Sequence, residues 1–215
     1  LKVVKEEFFA ALKGIEEPED KRKAFRETFY SCLGRQVRES GAKCLLQGTI
    51  AADIVETKGG VKTQHNILEQ IGIDPQERYG FRVIEPLKTL YKHQVREVAK
   101  ELGLSEEIHS RMPFPGPGLA TRVLGEVTPE RVEMVRKATK IVEEEFVPLK
   151  PFQALAVLMK DKATGLEGRK RAFGNIIILR SVESKDAMTA SPTQVPWEVL
   201  TKAAKRITEE ITSVV

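Results

Sequence analysis

The chain has 215 residues and a mass of 24.1 kDa, is 41% apolar and 31% charged, and so has the composition of a soluble globular protein with room for two modest domains; no run reaches the roughly 18 apolar residues of a membrane span. Its two cysteines, Cys32 and Cys44, sit in apolar patterns rather than a metal-ligand spacing, which argues against a disulfide framework or zinc site and fits a reducing, cytoplasmic setting. A net charge of +4 and a pI near 9.0 favour a polyanionic partner, nucleotide or nucleic acid, although Lys and Arg are spread along the chain instead of forming one block.

The first residue is Leu1, and LKVVKEEFFAALKG has neither the apolar segment nor the cleavage site of a signal peptide; upstream sequence is expected. Val4, Phe8 and Leu12 recur at helical spacing, and Gly14 and Pro18 interrupt the pattern. A second helix follows in KRKAFRETFYSCLGRQVRESG, with Phe25, Phe29, Leu33 and Val37 on one face and Gly41 as its stop. AKCLLQGTI reads as a short buried strand running into a Gly-Thr turn. The polar AADIVETKGGVKTQHN shows no sustained period and reads as a long loop containing one short helix. FRVIEPL is a second buried strand, and TLYKHQVREVAKELG a helix with Val95, Val98, Ala99 and Leu102 at i, i+3, i+4 and i+7. Strand, loop, strand, helix is part of an α/β layer.

Beyond residue 118 the texture changes. LATRVLGEV is strand-like, and TPERVEMVRKATKIVEEEF is a helix with Thr128 as N-cap and Pro129 at the first helical position. The apolar runs FQALAVLM and GNIIILRSVE predict two strands, with the charged DKATGLEGRKRA between them as an exposed hairpin loop. The last helix, PWEVLTKAAKRITEEI, places Leu200, Ala204, Ile207 and Ile211 on one face. This half is a self-contained α+β unit.

Between the halves lies RMPFPGPG at 111–118. Each proline pushes the residue before it toward extended geometry and has its own φ fixed near −65°, so the segment is a stiff strut. Gly116 and Gly118 add the opposite property, allowing positive φ and close approach to the backbone. An interdomain linker is the plain reading, and a PxxP-type ligand a weaker alternative.

The run RMPFPGPGLATRVLGEV, together with QGTIAADIVET, KTQHN and VIEPLKTLYKHQVREVAKELGL upstream and DAMTA, PWEVL and KRIT downstream, resembles GMP synthetase, and most nearly the ATP-pyrophosphatase subunit, with its dimerisation domain, of the two-subunit archaeal type. The resemblance implies residues 1–112 as the remainder of an adenine-nucleotide α-hydrolase-like α/β domain with a parallel sheet, 113–118 as linker and 119–215 as an α+β dimerisation domain. The implied reaction is adenylation of XMP by ATP with Mg2+, followed by displacement of AMP by ammonia to give GMP. Ammonia would come from a separate glutaminase subunit. A homodimer through the C-terminal domain is implied, and neither a membrane nor a nucleic acid is expected as partner.

The family's SGGVDSS-type phosphate loop lies ahead of the region matching Val3–Gly14, and its XMP-binding tail follows the last helix; neither stretch occurs in these 215 residues. The chain is therefore expected either to be an N-terminally shortened form or to lack here an upstream part, with two pieces of the active site missing, one at each end. A non-catalytic oligomerisation fragment and a basic RNA-binding protein are the rival readings.

By resemblance, Arg22 matches the arginine that contacts the XMP phosphate, a task suited to a guanidinium; the alternative is a solvated cation at a helix start. Gln47, Gly48, Thr49 and Asp53 match QGTI-x-x-D at the carboxyl end of a central strand, where open α/β sheets take ligands. The alternative there is a tight turn capped by Asp53, which is also the candidate magnesium ligand. Lys62 and His65, in KTQHN, match a lid whose lysine reaches the β- and γ-phosphates and offsets charge developing in adenylyl transfer. Arg171 matches an XMP-contacting arginine, although position 169 is arginine where the family has aspartate. Gly116 and Gly118 are candidate close-approach points beside the nucleotide.

Overall fold

The computed structural model describes residues 4–58, 73–109, 111–114, 117–167, 170–184 and 189–215. The chain divides into two compact units: Leu1–Phe8, Lys23–Arg111 and Asp186–Thr189 form the first, and Phe9–Arg22, Met112–Lys185 and Ala190–Val215 the second. Both sheets are small, a two-stranded parallel pair in the first unit and a three-stranded antiparallel sheet in the second. The architecture is α/β in the first case and α+β in the second.

Helix α1 (Lys5–Leu12) and helix α2 (Pro18–Ser40) open the chain. Pro18 does not merely interrupt the pattern; it is the first residue of α2, where a missing N–H costs nothing, and Glu19 and Asp20 in that first turn suit the positive end of the helix. The helix ends at Ser40, before Gly41 at φ 71°. Its buried face differs from the expected one. Tyr30, Leu33 and Val37 pack with Tyr79 and Phe81, while Phe29 is exposed; an apolar count passes over Tyr30 because of its hydroxyl. Gly34 permits close packing here, since a Cβ at that position would meet the Tyr79 carbonyl oxygen at 2.9 Å.

Strands β1 (Cys44–Leu46) and β2 (Arg82–Ile84) pair in parallel with Leu45 opposite Val83. Only one face is buried among the described residues: Leu45 and Val83 pack on the Tyr30 cluster, whereas Leu46 and Ile84 are exposed. The expectation of two buried strands is corrected to this half-covered pair. Helix α3 (Ala51–Lys58) is the short helix foreseen after the Gly-Thr turn. In α4 (Pro75–Tyr79) the Asp74 side chain caps the N–H groups of Gln76 and Glu77, and Gly80 ends the helix at φ 84°. Helices α5 (Lys92–Glu101) and α6 (Glu106–His109) complete the unit.

In the second unit, residues 119–127 do not form the expected strand. Gly118–Arg122 is a 3-10 turn, and only Val123 bridges to Leu158, with Leu124 N–H donating to the Leu158 carbonyl at 2.9 Å. Alternation over so short a span cannot distinguish a strand from a tight turn that buries Ala120 and Val123. Helix α7 (Pro129–Phe146) begins as foreseen, with Thr128 Oγ1 accepting from Arg131 N at 3.2 Å. It packs Ala138, Ile141, Val142 and Phe146 against Ala154 and Ala156 and against Ala203, Ile207 and Ile211. The first two belong to β3 (Gln153–Glu167), and Ala203 and Ile207 to α8 (Trp197–Glu210). Ala203 rather than Ala204 lies in this core.

Outside Gly168 and Arg169, the charged DKATGLEGRKRA is strand rather than loop. Strands β3 and β4 (Lys170–Glu183) continue through it, pairing Lys162 with Asn175 and then in unbroken register to Glu167 and Lys170. Between the two halves of the ladder, Met159, Lys160 and Asp161 stand opposite Ile176 alone, a β-bulge. Strand β5 (Ser191–Pro192) adds a short antiparallel edge to β4.

Candidate functional site

The carboxyl ends of β1 and β2 lead directly into a chain of hydrogen bonds. Gln47 N–H donates to the Ile84 carbonyl at 2.9 Å, extending the parallel pairing by one residue. Beyond it, Tyr30 OH donates to Gln47 Oε1 at 3.1 Å, Gln47 Nε2 donates to Thr49 Oγ1 at 3.1 Å, and Thr49 Oγ1 donates to Glu85 Oε1 at 2.5 Å. Every donor in this series points the same way, and the Glu85 carboxylate terminates it. Thr49 is buried and its hydroxyl proton is committed to Glu85. Burial pushes the Tyr30 phenol well above its ordinary pKa, so it remains a donor at neutral pH.

These bonds hold the turn that carries Gly48, which is exposed and has open space where a Cβ would stand. Ala51 N–H donates to the Leu90 carbonyl at 2.9 Å, and Asp53 Oδ2 accepts from Ile50 N–H at 2.9 Å, capping the start of α3. The structure thus brings Gln47, Gly48, Thr49 and Asp53 into one turn where two parallel strands end. Chemically, this is a stiffened backbone turn with one carboxylate behind it. Sequence reasoning missed Glu85 and Tyr30; the signal for Glu85 is a carboxylate directly after an apolar strand and before Pro86.

Among the described residues no three His, Cys, Asp or Glu side chains gather as a metal site, and Asp53 is engaged as a cap.

Arg22, Gly118 and Arg171 belong to the second unit. Arg22 Nη1 pairs with Glu19 one turn away. Its neighbour Lys21 is the buried member of the pair, at 1% exposure, and Lys21 Nζ donates to the carbonyls of Val123 at 2.6 Å and Gly125 at 2.5 Å. Burial pushes the Lys21 ammonium pKa down. Gly118 is buried at φ 58°, and a Cβ there would lie 3.1 Å from the Phe114 ring. Arg171 is exposed on β4 and paired with Leu166. Lys62, His65 and Gly116 lie outside the described residues.

The GMP synthase C-terminal domain family matches residues 139–215. The GMP synthase (glutamine-hydrolyzing) B-subunit of Archaeoglobus fulgidus is 53% identical over 211 residues, covering 98% of this chain and 68% of the relative. The chain belongs to the GMP synthase family. The corresponding protein of Pyrococcus furiosus is 51% identical over 209 residues, covering 96% of this chain and 65% of that protein, and that of Methanopyrus kandleri is 51% identical with 97% and 67% covered. The chain thus spans about two thirds of the length of these GMP synthase relatives. Membership does not favour the rival readings as an oligomerisation fragment or an RNA-binding protein. Cys32 and Cys44 are free thiols, and no helix among the described residues is long and apolar enough to cross a membrane.

Proposed function

We propose that this chain is part of the synthetase subunit of a two-subunit GMP synthase, which adenylates XMP with ATP and then substitutes ammonia for AMP to release GMP and pyrophosphate. The observation that carries the reading is identity of about half the residues with the GMP synthase relatives over nearly the whole chain. The turn Gln47–Thr49, stiffened from Tyr30 to Glu85 at the ends of β1 and β2, is the nucleotide-facing element in this reading. Its exposed Gly48 lets a ligand approach the backbone.

Arg22 and Arg171 are the proposed XMP contacts, Gly116 and Gly118 close-approach points, and Lys62 and His65 the proposed catalytic pair. Magnesium would enter with the ATP phosphates, as this ion commonly does with one or two carboxylates and several waters, and Asp53 is the candidate carboxylate. A separate glutaminase subunit would supply ammonia in the cytoplasm. Pairing of two copies through the second unit is supported by Trp197, Phe173 and Leu166, all exposed there.

The test is a synthetase subunit of the relatives' length carrying this chain, supplied with ATP, XMP and an ammonium salt. GMP, AMP and pyrophosphate are expected in equal amounts. An intact subunit that binds no XMP and makes no GMP overturns the reading. Light scattering across a dilution series tests the dimer, and a monomer at all concentrations overturns it.

A further inference from the structure

Arg122 ends the 3-10 turn that follows the proline-glycine segment and is 5% exposed. Its Nε and Nη1 are buried without a hydrogen-bond acceptor, and no nitrogen of its guanidinium donates to a described residue. Three other arginines also have a buried Nε without an acceptor, but each is anchored otherwise. Arg96 Nη2 donates to the Arg111 carbonyl at 3.1 Å, Arg131 Nη2 donates to the carbonyls of Leu124 at 2.6 Å and Met159 at 3.1 Å, and Arg26 has an interaction of its own.

What Arg122 does have is a ring. Its Cζ lies 4.6 Å from the centroid of Phe114, whose ring also rests on Gly118. A ring face attracts the cation as a whole, but it leaves the in-plane N–H donors without oxygen acceptors. A buried polar group in this condition calls for an explanation in a missing ligand. Burial disfavours the charged form of Arg122, Glu143 favours it and Arg180 disfavours it. Planar guanidinium groups pair best with oxyanions, and a phosphate carries more charge than a carboxylate does.

We propose that Arg122 is an anion site of the second unit that takes a phosphate group, with Phe114 as its cover. Because Nε and Nη1 are buried, a ligand reaches them when the half-exposed Phe114 ring moves aside. The site is separate from the roles proposed for the Gln47–Thr49 turn and stands without them.

The experiment measures the thermal midpoint of the full 215-residue chain at constant ionic strength, with inorganic phosphate, pyrophosphate or AMP replacing chloride in separate arms and acetate as the carboxylate arm. A saturable rise is expected with at least one phosphate compound. A rise with inorganic phosphate assigns the free ion, and a rise with AMP alone assigns a nucleotide phosphate. Arg122→Met is expected to abolish the rise while keeping or raising the ligand-free midpoint, because an uncompensated buried charge is gone. The AMP arm remains informative if the nucleotide also binds elsewhere, since only the Arg122-dependent part counts. No rise with any phosphate compound, an undiminished rise in Arg122→Met, or an equal Arg122-dependent rise with acetate overturns the proposal. If Arg122→Met does not fold, the Nε–H resonance of Arg122 in the unaltered chain, assigned with Arg122→Lys, must shift on phosphate titration; a fixed resonance overturns the proposal equally.

Discussion

Lys21→Met isolates the interaction that fixes the start of α2 within the second unit. Lys21 gives two charge-assisted hydrogen bonds, to the carbonyls of Val123 and Gly125, and bonds of this kind contribute about 1.5–3 kcal/mol each. Removing the ammonium also removes its desolvation cost, the cause of its lowered pKa, and that returns part of the loss. Methionine fills the volume of the lysine stem, so a cavity contributes little. The net expectation is a loss of about 2–3 kcal/mol. Native-state hydrogen exchange of amides in α7 and β3 reads this without assuming that the two units unfold together. Exchange free energies within about 0.5 kcal/mol of the unaltered chain would refute the reasoning. The pH dependence gives an independent sign. Since burial holds the folded pKa of Lys21 below its ordinary 10.5, the unfolded chain binds more protons between the two values, and the stability that Lys21 contributes rises with pH across that window. The gap between the unaltered chain and Lys21→Met should therefore widen toward pH 10.5; a narrowing gap contradicts the assignment.

Thr49→Val removes the hydrogen bonds that Thr49 gives to Glu85 and takes from Gln47 Nε2; it should cost about 1–2 kcal/mol in the first unit and, in the longer subunit, raise KM for nucleotide more than it lowers kcat, as steady-state kinetics will show. Gly34→Ala brings a Cβ within 2.9 Å of the Tyr79 carbonyl, and after a helix-propensity gain of about 1 kcal/mol a net loss of about 1–2 kcal/mol is expected in urea unfolding. Glu145 is held below the usual carboxylate pKa by hydrogen bonds from Lys202 and then Arg206, so its contribution is present above the ordinary 4.5 and lost as pH falls through the lower folded value. Acid titration of the thermal midpoint should accordingly be shallower in Glu145→Gln.

Much of the element order was legible because helix starts and stops are written in local chemistry. Pro129 after Thr128, and Gly41 after the second helix, needed no tertiary information. The failures come from side chains whose surroundings lie far away in sequence. Tyr30 counts as polar until Tyr79 and Phe81 enclose it. DKATGLEGRKRA has the composition of a loop, but its backbone pairing is imposed by the partner strand. Between two adjacent cations, composition alone could not say that Lys21 is enclosed and Arg22 is paired at the surface of its own helix turn. The QGT turn was visible as a motif; the carboxylate of Glu85, 36 positions from Thr49, became visible only when the two strands were laid side by side.

The bulge opposite Ile176 divides the long hairpin mechanically. On its inner side, Leu158 accepts a hydrogen bond from Leu124 N–H, while in the bulge Met159 accepts from the Arg131 side chain and Lys160 reaches Glu16. On its outer side the ladder from Lys162 to Glu167 is braced near its base, where Asn175 exchanges backbone hydrogen bonds with Ser213 and Val215. The hairpin is therefore two ladders of different register, each anchored by its own contacts. The buried alanines of β3 lie on the inner ladder, so substitutions along the charged outer edge change what that edge meets without altering how the core is packed.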